Sequence, residues 1–161
     1  MESTNLLQVY KIIEKIRSEN GRHGSREQEW IEERLIDDNL QKAVAKLSIV
    51  ALHILSALET KSKTGVELAT ELQVTRGGIT RAAKKLLQFE LITAKKAPND
   101  KKKIYYALTS NGKVVAKLHD EMHQEIITEI EEKFSDKYSE NELKTIIRFL
   151  HDLREFEDNF F

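Results

Sequence analysis

The chain has 161 residues, 40% hydrophobic and 33% charged, with a formal net charge of −1, one proline and no cysteine. That length suits one ordinary domain with appended helices, and the missing cysteine excludes disulfides, thiolate metal ligands and thiol redox sensing. No apolar run approaches a transmembrane length and the N-terminus lacks a signal-peptide pattern, so a cytoplasmic location is expected.

In chain order, Leu6, Leu7, Val9, Ile12, Ile13 and Ile16 recur at helical spacing and predict an amphipathic helix over 5–17. Residues 18–27 carry two glycines and read as a loop. A second helical segment spans roughly 26–42, with Trp30, Ile31, Leu35, Ile36 and Leu40 as its apolar residues. Ser48 is placed to cap an apolar helix over 48–59. Thr64 with Glu67 forms a capping box for a short helix over 65–72. Thr75 caps a basic helix over 76–90, with Ile79, Ala82, Ala83, Leu86, Leu87 and Phe89 inward and Arg76, Thr80, Arg81, Lys84 and Lys85 outward. Residues 91–97 and 103–109 read as two strands around Pro98-Asn99-Asp100. A long helix over 111–133 directs Val114, Val115, Leu118, Met122, Ile126, Ile127 and Ile130 inward. Ser139 and Glu142 form a second capping box, opening a last helix to about 158 with Leu143, Ile146, Ile147, Leu150 and Leu153.

The charge is unevenly spread. Residues 75–103 hold nine basic side chains against two acidic ones, so this segment is +7 and the remainder −8. A lysine run is most often a solvated face. Here it coincides with a short helix, a turn, a basic helix and two strands, the order of a winged helix-turn-helix, which places one helix in the DNA major groove and a wing beside it. The fold class expected is therefore mainly α: a winged helix-turn-helix lobe over 48–109 with a two-stranded β-wing. Residues 1–47 and 110–161 supply helices whose leftover apolar faces call for a second copy, and these regions are expected to form a dimerisation region.

This pattern resembles the MarR family of dimeric winged-helix transcriptional regulators over nearly the whole chain. The family's wing carries an Asp, any residue and an Arg, followed by a Leu-Thr that opens the next helix. Here these stand as Asp100-Lys101-Lys102 and Leu108-Thr109, with lysine replacing the arginine and its planar fork. The resemblance implies that Thr75, Arg76, Thr80, Arg81 and Lys84 face DNA from the recognition helix, and that Lys101, Lys102 and Lys103 serve the phosphate backbone or minor groove. It implies a homodimer on a pseudo-palindromic operator, of the repressor type, with affinity altered by a small-molecule or metal effector.

Three histidines bear on the effector. His119 and His123 are four apart and share one helix face, and His53 lies on the apolar side of the 48–59 helix. A histidine on a half-buried helix is usually a hydrogen-bonded core or interface residue. Three on inward faces of neighbouring helices also fit a transition-metal site, and neutral imidazole suits zinc. The zinc-responsive branch of the MarR family is similar at these positions and adds a glutamate. That resemblance implies Glu33 as the fourth ligand, with Glu32 and Asp37 as alternatives. The branch's second metal site uses acidic residues just before two of the histidines. Leu52 and Leu118 stand there, so that site is expected to be absent. His23 and His151 read as exposed structural residues.

No cysteine nucleophile, glycine-rich phosphate loop or Gly-x-Ser-x-Gly turn is present, so no enzymatic activity is expected. The reading from a different class is a winged-helix module that binds proteins instead of DNA.

Overall fold

The computed structural model describes residues 12–13, 26–97 and 100–160, with the side chains of residue 97 and of residues 100–102 outside the description. Most of the helix expected over 5–17, His23 and its loop, and Pro98-Asn99 lie outside the described residues. The described part is a run of helices with one small sheet. Among the described residues, no single helix is long and apolar enough to cross a membrane.

Residues 26–32 are helical and bury Ile31 completely. The single helix expected over 26–42 is in fact two. After residue 32 the amides of Arg34 and Leu35 bond three residues back, to Ile31 and Glu32, which tightens and ends the first helix. Asp37 then caps α1 (Asp38–Val44) by accepting from the Leu40 amide at 2.8 Å. Capping carboxylates favour an extended conformation at their own position, which is why the chain breaks there. Ser48 opens α2 (Ile49–Ala57) in the expected way.

Strand β1 (Lys63–Thr64) precedes α3 (Gly65–Glu71), which starts on the full Thr64–Glu67 capping box. Helix α4 (Arg76–Gln88) is capped by Thr75. Strands β2 (Ile92–Ala97) and β3 (Asp100–Leu108) form the wing, and β1 pairs with the other edge of β3, giving the order β1-β3-β2, all antiparallel. A two-residue strand carries no periodicity, so β1 left no sequence signal.

Both α3 and α4 end in Schellman turns. Val74 N–H reaches Ala69 O at 3.1 Å and Leu91 N–H reaches Leu86 O at 2.9 Å. The left-handed residue in each is Gln73 or Glu90, at φ 53° and 54°, where glycine is usual. Ala51, Leu52 and Leu55 of α2, Leu68 of α3 and Ile79, Ala83 and Leu86 of α4 share one buried core with Ile31, Leu91 and Val115.

Helix α5 (Ser110–Phe134) begins at Thr109, whose hydroxyl accepts from Gly112 N–H at 3.0 Å and lies 2.8 Å from the Glu90 carbonyl. Two compact units divide inside α5: the first runs to Met122 and the second begins at His123. In the first, Val115, Ala116, His119 and Met122 of α5 are buried, whereas Val114, expected inward, is 46% exposed. In the second, α6 (Glu140–Phe160) starts on the Ser139–Glu142 capping box and buries none of its residues. Ile126, Ile127 and Ile130, expected inward, are about half exposed, as are Leu143, Ile146, Ile147 and Leu150.

Gly112 is fixed by close approach. A Cβ there would stand 1.9 Å from the Leu91 carbonyl oxygen, part of the turn that joins α4 to the wing. A Cβ at Gly77 would meet nothing within 4 Å. Gly112→Ala should therefore lower stability by about 3 kcal/mol or more, while Gly77→Ala should raise it by about 0.5–1 kcal/mol, both read from urea unfolding midpoints.

Candidate functional site

Two groups of chemistry-bearing residues are built on this frame. The first is the outer face of α4. Arg76, Thr80, Arg81 and Lys84 are all exposed there, while Ile79, Ala82, Ala83 and Leu86 turn into the core. Thr75 Oγ1 accepts from Gly78 N–H at 3.1 Å, so its own proton stays available to an acceptor such as a phosphate oxygen. Thr80 Oγ1 donates to Arg76 O at 2.9 Å, so toward an outside partner it can only accept. Lys85 is half-buried and rests over the Phe89 ring at 5.5 Å. Lys103 is exposed on β3, and the side chains of Lys101 and Lys102 lie outside the description. Between the start of α3, the start of α4 and β3 runs a groove of about 500 Å³, lined by Thr64, Arg76, Thr80, Lys103 and Tyr105 among others. Its charged lining is two cations, Arg76 and Lys103, and one carboxylate, Glu67, which is engaged in the Thr64 capping box.

The second group is a cluster of metal-ligating side chains. Glu27, His53 and His119 each offer one ligand atom, and these atoms lie within 4.8 Å of one another; His123 follows His119 by one turn of the same helix. Glu27 comes from the helical residues 26–32, His53 from α2, and His119 from α5. The unit boundary falls one residue before His123, on the same unbroken helix that carries His119. His119 is only 2% exposed, and its ring meets that of His53 edge-on at 5.3 Å between centroids.

His53 and His119 are thus together, His123 is one turn on from His119, and the carboxylate beside the first two is Glu27, not Glu33. Glu33 stands in the exposed turn after residue 32 and lies 3.9 Å from Arg34. Asp37 is occupied as the α1 cap. Glu32 is half-buried and not part of the cluster. Sequence context drew attention to Glu33, but the length of the insertion before His53 sets which turn of the helix faces the histidines, and a sequence does not place an insertion. A signal was available nonetheless: Glu27 is four residues before the fully buried Ile31 and three before Trp30, so it shares their inward face.

The donor set fits a zinc-type cation. Glu27 Oε2 is buried with no hydrogen-bond partner, and it lies 3.6 Å from His119 Nε2. A carboxylate oxygen left without a donor is costly. Ligand bonds of about 2.0 Å in a tetrahedral site put donor atoms about 3.3 Å apart, so a small contraction would suffice.

Behind His119 lies a hydrogen-bonded chain that was not read from the sequence. Ser56 Oγ is 2.8 Å from His119 Nδ1 and donates to Asp120 Oδ1 at 2.7 Å. Glu59 hydrogen-bonds Asp120 in turn, and that bond, with burial and the neighbouring negative charge, pushes the Glu59 carboxyl up to about 7. Burial pushes Asp120 upward, but hydrogen bonds from Glu59 and Ser56 and the His119 ring outweigh it and hold Asp120 below the usual carboxylate value.

Comparison with known proteins places this geometry in context. The family profile described as MarR family matches residues 47–104. Lactococcus lactis ZitR, whose structure is described as that of a zinc-responsive MarR family member, is 34% identical, with a TM-score of 0.60 over 68% of this chain and 76% of that one. The chain belongs to the MarR family. Among curated relatives, the transcriptional regulator ZitR is 35% identical over 74 residues, 46% of this chain and 51% of its own. The HTH-type transcriptional regulator YvnA of Bacillus subtilis is 33% identical over 76 residues, 47% of this chain and 48% of its own. The chain thus spans about half the length of the curated relatives it matches. ZitR has also been solved in complex with DNA, at 32% identity and a TM-score of 0.60 over 68% of this chain and 75% of that one. The adhesin competence repressor AdcR of Streptococcus pyogenes shares the fold over 95% of this chain and 97% of its own, at 21% identity and a TM-score of 0.68.

The Glu59–Asp120 pair gives this MarR protein a pH signature. Because the folded pKa of Glu59 lies above its ordinary 4.5, the associated stability is complete below that value and is lost as pH rises through about 7. Glu59→Gln keeps a donor toward Asp120 without an ionisable proton. Its melting temperature should fall less than that of the wild type between about pH 5 and about pH 8.

Proposed function

We propose that the chain is a dimeric DNA-binding transcriptional regulator of the repressor type, with operator affinity raised by zinc held by Glu27, His53, His119 and His123. The observation that carries the metal reading is the buried, partnerless Glu27 Oε2 facing His119 Nε2. Kinship with ZitR, a zinc-responsive family member solved with DNA, supports both halves of the reading.

The DNA-binding half rests on the outer face of α4 and on the wing. Residues 48–109 form the DNA-binding lobe in this reading. Arg76, Arg81 and Lys84 would reach base edges or phosphates, Thr75 would donate to a phosphate, and Thr80 would accept from a base amino group. Lys101, Lys102 and Lys103 would add backbone or minor-groove contacts from the wing. Residues 1–47 and 110–161 form the dimerisation region. A second copy is the natural cover for α6, which buries nothing and presents Leu143, Ile146, Ile147 and Leu150 half exposed.

Zinc, when bound, supplies the positive charge that turns mutually repelling donor atoms into a joint between chain segments. The residues themselves explain how that joint reaches the DNA face. His53 sits on α2, and Leu52 and Leu55 of α2 share a core with Ile79, Ala83 and Leu86 of α4. Fixing α2 against Glu27 and His119 therefore restricts the recognition helix. Operator affinity changes by the difference in metal affinity between the restricted and unrestricted states.

Operator affinity of the full chain should fall at least about tenfold when zinc is stripped with a chelator, on the scale usual for a coupling of about 1–3 kcal/mol. Glu27→Ala and His53→Ala should abolish that response, and Glu33→Ala should leave it intact. Operator binding that is indifferent to zinc overturns the metal half. Independently, Arg81→Ala should weaken operator binding by about 1–3 kcal/mol with an unchanged melting temperature, and Lys102→Ala should flatten the salt dependence by about one ion. Weak duplex binding insensitive to both changes would favour a protein partner.

A further inference from the structure

The chain of side chains behind His119 has a direction. Ser56 stands on α2, three residues after His53, so both reach toward α5 from one side of the helix. Its hydroxyl has one proton, and that proton is given to Asp120 Oδ1 at 2.7 Å. Toward His119 Nδ1, at 2.8 Å, Ser56 can then offer only a lone pair. The short contact requires His119 to be the donor through Nδ1–H. A neutral imidazole carries a single N–H, so Nε2 is left with its lone pair. Nε2 is the atom that faces Glu27 Oε2.

His119 is 2% exposed, so bulk water does not set its tautomer, and a free histidine side chain prefers the proton on Nε2, the arrangement unsuited to ligation through that atom. Asp120 Oδ1, 2.7 Å from Ser56 Oγ, accepts the hydroxyl's hydrogen bond and so keeps that proton turned away from the ring. All four residues lie in the first compact unit.

We propose that Ser56 and Asp120 are positioning residues that lock His119 as the Nδ1–H tautomer, keeping its Nε2 lone pair ready for a zinc-type cation. This inference rests on the metal reading above. Outer hydrogen bonds of this kind typically govern metal affinity by 10- to 100-fold, about as the ligands' own orientation requires.

The test uses the full-length protein, metal-free, with cobalt(II) and zinc as probes. Long-range nitrogen–proton NMR correlations of the histidine rings report which nitrogen of His119 is protonated. In the wild type that nitrogen is Nδ1. Ser56→Ala should mix the tautomers and lower cobalt and zinc affinity, measured by chelator competition, by about 10- to 100-fold, and Ser56→Thr should restore both. Asp120→Ala frees the Ser56 proton to turn toward His119, so it should also shift the proton to Nε2. This second variant alters a half-exposed residue and serves if Ser56→Ala does not fold. A His119 that keeps the Nδ1 proton in both Ser56→Ala and Asp120→Ala, with metal affinity unchanged, overturns the positioning role and leaves the metal reading standing. A wild type that takes up neither cobalt nor zinc overturns the metal reading, and the purpose assigned to Ser56 with it, even where the tautomer proves locked.

Discussion

Helix α2 places Ala51, Leu52, Ile54 and Leu55 out of solvent within nine residues. At about 1.5–3 kcal/mol for each large apolar side chain removed from water, that burial holds the helix firmly against its neighbours. Its two half-buried polar residues, His53 and Ser56, are therefore delivered to fixed places beside α5. The same burial seats α2 on Ile79, Ala83 and Leu86 of the recognition helix. One apolar helix thus carries His53 on one side and packs against α4 on the other, so in the proposed reading it is the element through which metal and DNA would be coupled.

The polar residues near His119 differ in how completely they are satisfied. Ser56, Asp120 and Glu59 form a continuous hydrogen-bonded chain. On the opposite side of the ring, Glu27 Oε2 is buried without a donor. Proteins tolerate such an atom where a ligand completes it, because the desolvation cost of a lone carboxylate oxygen is recovered when a cation arrives. The His119 imidazole is thus hydrogen-bonded to Ser56 at one nitrogen and faces Glu27 at the other, the asymmetry on which the proposed metal reading rests.

Much of this was legible in local sequence. The Thr64–Glu67 and Ser139–Glu142 capping boxes and the Ser48 and Thr75 caps are contacts over three or four residues, and each stands where the spacing placed it; the faces of α4 do so except that Leu87, expected inward, is exposed and Lys85, expected outward, is half-buried. The break at residues 33–37 was less legible, because Ile31, Leu35 and Leu40 keep an apolar rhythm across it while Asp37 caps a new helix. The faces of α5 were read as one inward stripe. The structure divides them, burying Val115 and Met122 and leaving Ile126, Ile127 and Ile130 about half exposed, because periodicity marks an apolar face without saying what covers it.

The sequence by itself determined the capped helices and the wing from Ser48 onward, though not β1, together with the +7 segment and its pairing with the basic helix, and the three histidines, since caps, charge and helical period act over a few residues. Only the tertiary structure decided that Glu27 joins His53 and His119 while Glu33 turns to solvent, and that Ser56 stands between His119 and Asp120. Those contacts join side chains more than sixty residues apart in the case of Ser56, and their distances depend on the packing of whole helices. Local spacing does not encode such distances.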